Sequence, residues 1–193
     1  MQGPDFDAFS QASQYFVDVV GAVPATSWDA PGLGEWTIKE LVGHTNRANV
    51  IIVDYVERPQ RAEPADSTYF TDESIAQRAR LAVAALGDDP LVTVAAASAR
   101  AIAFIAASPP GAAVGSPFGT MKLSDYLASR TAELTIHGLD LARALHVEID
   151  LPTEALRASL AYVAGFSMKK HQGETVLLAL SGRGNLPPGF NVY

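Results

Sequence analysis

Apolar residues recur at helical spacing along most of the chain. From about Asp5 to Val20, Phe6, Phe9, Phe16 and Val20 are spaced three, seven and four apart, which a helix gathers on one side. "GAVPATSWDAPGLGE" then reads as a Gly/Pro-rich loop. Thr37 and Glu40 have the spacing of a capping box, each side chain able to satisfy a backbone N–H of the other residue; Trp36 and Leu41 hold the two positions of a hydrophobic staple. This start signal predicts a helix from Ile38 to about Val56, closed off by Pro59 and Pro64. Further helices are expected from about Asp72 to Leu86, with Thr71 as cap and Gly87 as stop, and from Pro90 to Ala107, ended by "SPPG". Two more follow, from Leu123 to Leu145 and from Glu154 to Lys170, the latter with Thr153 as its cap candidate. The linker "GAAVGSPFG" leaves room for one short hairpin near residues 112–121, and the apolar run "ETVLLAL" leads into a loop-like tail. No internal repeat is visible. The pattern predicts an all-α fold, a mostly antiparallel helical bundle in a single domain of residues 1–193.

Composition narrows the function classes. The chain has 193 residues, 48% of them hydrophobic and 18% charged, which suits a globular domain with its own core. A net charge of −7, with no cluster of Lys or Arg, argues against a nucleic-acid partner. With no cysteine, disulfides, thiolate metal sites and cysteine nucleophiles are excluded. "MQGPDFDAFS" shows no secretory signal. "LVTVAAASARAIAFIAAS" is interrupted by Arg100 and rich in alanine, so it is read as a buried helix and not as a membrane span. The expected compartment is the cytoplasm.

The chemistry concentrates in "RTAELTIHGLDLARAL", residues 130–145. Glu133, His137 and Asp140 are four and then three positions apart, so a helix stacks them on one face. With Glu133 at zero, His137 falls near +40°, Asp140 near −20°, Arg130 near +60° and Tyr126 near +20°, at about 100° per residue. Leu123, Leu127, Leu134, Leu141 and Leu145 form one apolar shoulder; Ile136 and Leu139 form the other. The far face carries Ser124, Ala128, Thr131, Thr135, Gly138 and Ala142, small residues that suit a solvent face. The charged row is therefore expected to point inward, where an unpaired carboxylate is several kcal/mol worse off than in water and needs a cation, from the protein or a metal.

A second helix supplies a partner. His44 shares the wheel face of Leu41, Ala48, Ile51 and Tyr55. Two histidines and one carboxylate make the ligand set of a metal site with open positions. Asp140, one turn past His137, is placed to fix an imidazole tautomer. Plainer readings stand beside this one: His44 as a packing residue, Glu133 and His137 as an ordinary helix pair, or Arg130 neutralising Glu133. His146 and His171 read as solvated residues near helix ends, and Arg183 in "SGRG" has no clear role.

At these residues the sequence resembles a known family. "EWTIKELVGHTNRA" is similar to its first signature and "SRTAELTIHGLDLARAL" to its second. The family is that of the mycothiol-dependent maleylpyruvate isomerases, in their N-terminal metal-binding domain, within the DinB-like superfamily of up-and-down four-helix bundles. The similarity runs from about residue 8 to 145, leaving residues 153–193 for an additional C-terminal helix and tail. The resemblance implies that His44, Glu133 and His137 bind a divalent metal, usually zinc and in some relatives nickel. It also implies that mycothiol or a similar thiol approaches that metal. The isomerases carry a second domain that contributes to their active site. So the resemblance bears on fold and metal triad more than on the isomerase reaction. The closing "LSGRG" is similar to the end of short, single-domain members.

The leading expectation is a metal-dependent thiol transferase or isomerase acting on a small-molecule electrophile. Arg130 and Asp140 are its candidate catalytic residues, holding polar groups of substrate or thiol. The alternatives are metal-assisted hydrolysis at the same open position, a non-catalytic metal-containing binding or sensory module, and a metal-free ion-pair network. No nucleic acid and no membrane are expected as partners. The last helix and tail pack on the bundle or on a second subunit, as in a homodimer.

Overall fold

The computed structural model describes residues 1–57, 71–109, 111–116 and 119–192. Seven helices dominate these residues, in the order α1 (Pro4–Gly21), α2 (Ile38–Glu57), α3 (Asp72–Ala84), α4 (Pro90–Ala107), α5 (Leu123–Leu145), α6 (Thr153–Lys169) and α7 (Gly173–Leu180). Two antiparallel strand pairs interrupt them: β1 (Pro31–Leu33) with β2 (Trp36–Thr37), and β3 (Ala113–Ser116) with β4 (Gly119–Lys122). The second pair is the expected hairpin. Of the first, β1 lies inside what the Gly/Pro content marks as loop and β2 directly follows it; Gly32 packs so closely on Thr37 that a Cβ would stand 2.9 Å from that residue's backbone.

The all-α expectation holds. Four helices, α1, α2, α4 and α5, form the bundle, with α1 and α2 each packing on both α4 and α5. α3 rests on α2, α6 on α1 and α5, and α7 on α6. α2 and α5 run antiparallel: His44 meets Glu133 and His137, while Tyr55, further along α2, meets Tyr126, earlier in α5. The core between them holds Phe9, Phe16, Leu41, Ile52, Leu127 and Leu134, each fully buried. A polar seam crosses it: Ser13 Oγ lies 2.8 Å from Asn49 Oδ1 and 2.7 Å from Ser98 Oγ, tying α1, α2 and α4 together.

Helix boundaries follow the local signals, with four corrections. Thr71 caps α3, accepting from the backbone N–H of Ser74. Thr153 does not cap α6; it is the first helical residue, preceded by Pro152. "ETVLLAL" is not a mere apolar run but most of α7, which buries none of its residues. α4 is not a buried helix. One stripe, including Val94, Ser98, Ala101 and Ile105, is buried, while Val92 is 62% exposed. Among the described residues it is the one helix long and apolar enough to cross a membrane. The expected stop at Pro59 and Pro64 lies outside the described residues.

The far face of α5 is the fourth correction. Thr131, Thr135, Gly138 and Ala142 are buried, not solvated. They are small because a neighbour comes close, not because they meet water: a Cβ on Gly138 would lie 2.7 Å from Tyr15 Cε1 of α1. α5 is thus the central helix, covered by α1, α2 and α6. The charged row is the part of its circumference that stays partly open.

Candidate metal centre

The capping box aims α2. The backbone N–H of Thr37 donates to Glu40 Oε2 at 2.9 Å, and that of Glu40 donates to Thr37 Oγ1 at 3.2 Å. Satisfying these end groups fixes where the helix begins, and so where His44 emerges two turns later. Trp36, at the staple position, packs its ring against that of His44, tilted by 46° with the centroids 4.7 Å apart. The staple tryptophan therefore also holds a site residue, a role its position in the sequence does not announce.

From α5 the row emerges as expected. Glu133, His137 and Asp140 have side chains 20%, 15% and 19% exposed, and His44 is 19% exposed. All four are mostly buried yet reachable from solvent. His44 Nε2 lies 3.7 Å from Glu133 Oε2, and His137 Nε2 lies 3.5 Å from the same oxygen. The two rings meet edge to face, their centroids 5.2 Å apart. One ligand atom from each of the three residues falls within 4.8 Å of the others.

Electrostatics separates the two imidazoles. Burial works against charge on His137, but Asp140, 3.1 Å from its Nδ1, and Glu133 outweigh it and raise the ring's pKa to about 9. Burial dominates at His44 and lowers its pKa, with Glu133 opposing and His137 and Arg47 adding to the fall. Burial alone would raise the Glu133 carboxyl, but His137, His44 and Arg130 reverse this and hold it well below the usual carboxylate range. The two imidazoles are thus pushed in opposite directions, His137 toward its protonated form and His44 toward its neutral one, with the Glu133 carboxylate between them. Among the described residues His44 Nδ1 is buried without a hydrogen-bond partner, whereas His137 Nδ1 has Asp140.

The residues fit a metal. A tetrahedral set with ligand distances of about 2.0–2.2 Å spaces its donor atoms about 3.3–3.6 Å apart, close to the two separations found here. Three donors leave positions open, as catalytic zinc sites do.

Arg130 sits one turn before Glu133. Its guanidinium lies over the Tyr126 ring, 5.0 Å from the centroid, and its Nε donates to Ser129 Oγ at 3.2 Å. Its charge reaches Glu133. Tyr162 of α6 comes to the same place: it pairs with Ser129 and feels the charges of Arg130 and Glu133. Sequence reasoning missed Ser129 and Tyr162, since no spacing within one helix shows which residue of α6 will lie against α5. His146, at the C-terminus of α5, and His171, after α6, are exposed, both with left-handed backbone. Arg183 is exposed and donates to the Ser181 carbonyl. None of the three joins the site.

The family described as the mycothiol maleylpyruvate isomerase N-terminal domain matches residues 9–142. Among solved structures, the mycothiol-dependent maleylpyruvate isomerase aligns with a TM-score of 0.61 and 17% identity, and a single-residue variant of it with 0.62 and 16%. Each alignment covers 86% of this chain and 72% of the other. At that identity they show a shared fold. No curated protein matches the chain in sequence. The matched span holds over half the chain, from α1 through most of α5, and with it both signatures: the chain belongs to the mycothiol maleylpyruvate isomerase N-terminal domain family.

Proposed function

We propose that the protein is a divalent-metal-dependent enzyme that uses an external low-molecular-weight thiol, mycothiol or a relative of it, to attack a small electrophile by S-transfer or isomerisation. The observation that carries this reading is the approach of one ligand atom each from His44, Glu133 and His137, on two antiparallel helices, to within 4.8 Å of one another. Zinc is the first expectation for the ion, since two imidazoles and one carboxylate form one of its catalytic ligand sets; nickel is the alternative. When bound, such an ion lowers the pKa of a thiol at its open position and favours the thiolate.

The chain's own residues do the rest. His44, His137 and Glu133 would hold the ion, two imidazole nitrogens and one carboxylate oxygen between them. Asp140 accepts from His137 Nδ1–H, which fixes the tautomer whose Nε2 carries a lone pair. Trp36 keeps the His44 ring from rotating away. Arg130 offers a positive charge for a polar group of thiol or electrophile. The chain has no cysteine, so the sulfur must come from outside. A cytoplasmic setting, where small thiols stay reduced, suits this chemistry.

The test is turnover. Zinc-loaded protein with mycothiol should consume an activated alkene or epoxide faster than the thiol alone, and omitting either metal or thiol should abolish the gain. Binding of metal and thiol with no turnover of any electrophile would favour a sensory or carrier module instead.

A further inference from the structure

α7 packs on α6 as an outer layer and buries none of its residues. Thr175, Val176 and Ala179 are half-buried, but the leucines point away: Leu177 is 66% exposed and Leu180, three residues on along the same side, 78%. Met168, in the last turn of α6 and 67% exposed, joins them. Its sulfur lies against Gly173, where a Cβ would collide with it, and Leu177 follows Gly173 by one turn on the same face. Met168, Leu177 and Leu180 thus make an apolar ridge that stands out from the surface. A ridge of this kind, rimmed by polar residues, marks a contact with another protein or with a membrane.

Charge separates those partners. Lys169 and Lys170 follow Met168 directly at one end of the ridge, and Arg183 lies three residues past Leu180 at the other; all three are exposed. Glu174 is the one acidic residue from Phe166 to Leu186. Residues 151–193 carry four basic and two acidic side chains, a net +2, whereas the whole chain carries −7 and the rest of it therefore −9. Pairing two copies through this ridge by a two-fold axis would bring the same surface to both sides, so either end of one copy would meet a basic end of the other. An anionic partner meets the opposite charge.

We propose that α7 and the end of α6 form a docking surface for an anionic lipid bilayer, with Met168, Leu177 and Leu180 at the acyl boundary and Lys169, Lys170 and Arg183 at the headgroups. Long, flexible side chains on a protruding ridge enter a fluid acyl layer without a matching pocket, and basic residues beside them are drawn to anionic headgroups. Docking of this kind is peripheral and needs no membrane-spanning helix. The expectation of no membrane partner is set aside for this face alone. The patch is separate from the His44, Glu133 and His137 centre, so binding here stands or falls independently of the chemistry proposed there.

Flotation of the full chain with vesicles tests this, using phosphatidylcholine alone and an equal mixture of phosphatidylcholine and phosphatidylglycerol. Binding should favour the anionic vesicles by about tenfold or more and weaken as salt is added. Leu177→Glu combined with Leu180→Glu should lower it by about tenfold or more. Helical content and thermal midpoint should hold in that variant, because α7 buries none of its residues. Lys169→Gln combined with Lys170→Gln leaves the ridge intact and should lower binding by about twentyfold, two charges at roughly fivefold each. Val92→Glu, at a residue 62% exposed on α4, is the control and should change nothing. No binding to either vesicle, equal binding to both, or anionic binding that survives the leucine pair of substitutions overturns the proposal. So does a concentration-dependent dimer in light scattering that the leucine substitutions abolish, since the ridge would then belong to a second copy of the chain.

Discussion

Asp140 Oδ2 stands 3.1 Å from His137 Nδ1, one helical turn back along α5, and so turns the opposite ring nitrogen toward Glu133. Asp140→Asn keeps an acceptor but removes the charge. Metal affinity should fall by about 10–100-fold, the usual cost of losing such a partner, without loss of the fold. Competition against a chelator of known affinity measures this; unchanged affinity would mean that Asp140 does not act through His137.

The pH dependence follows from the two imidazoles. His137 is held at about 9, above the value near 6.5 expected for an unfolded chain. Its protonation therefore stabilises the metal-free fold fully below about pH 6.5, and that contribution is lost as pH rises through about 9. Metal binding has the opposite sign, because it requires a neutral Nε2. Between pH 7 and 8, metal uptake should release close to one proton, from His137 and not from His44, whose lowered pKa leaves it neutral already. Apparent affinity should rise with pH and level off above about 9. Calorimetry in buffers of different ionisation enthalpy counts the proton, and melts of metal-free protein from pH 6.5 to 9 follow the stability term.

Gly138→Ala should destabilise the protein by about 1–3 kcal/mol, the usual range for overpacking a core. The new methyl would press on the fully buried Tyr15 ring, 2.7 Å from its Cε1. Gly165→Ala is the control: its Cβ meets nothing within 4 Å and lies in α6, so alanine should hold or raise the thermal midpoint. Equal midpoints for wild type and Gly138→Ala would show that α1 can retreat from α5.

These cases also show what the chain reveals before folding. The capping box, the three-and-four spacing of the row and the Gly/Pro breaks are local, and each led to a correct element: α2 begins at Ile38, α5 runs from Leu123 to Leu145, and His44 meets Glu133. The wheel placed the charged row correctly, between apolar shoulders. It misjudged the opposite face, because small residues look alike whether they meet water or a close helix. Only the partner, Tyr15, decides between those cases. Tyr162 was invisible for the same reason: its neighbours come from packing between helices, which no periodicity within one helix encodes. The apolar composition of α4 suggested burial, but among the described residues it packs mainly on α1 and α2, and much of its surface remains open.

The central claim is that His44, Glu133 and His137 hold one divalent ion. The most direct measurement is metal content per chain, by plasma mass spectrometry, on protein equilibrated with zinc and then freed of loosely bound ions. Wild type should retain close to one ion per chain. His44→Ala should retain almost none while keeping its helical circular dichroism, since the ring lies at the edge of the core and not within it. A wild-type protein that emerges without metal, or a folded His44→Ala that still holds one ion per chain, would contradict the account and leave the row as an ion-pair network.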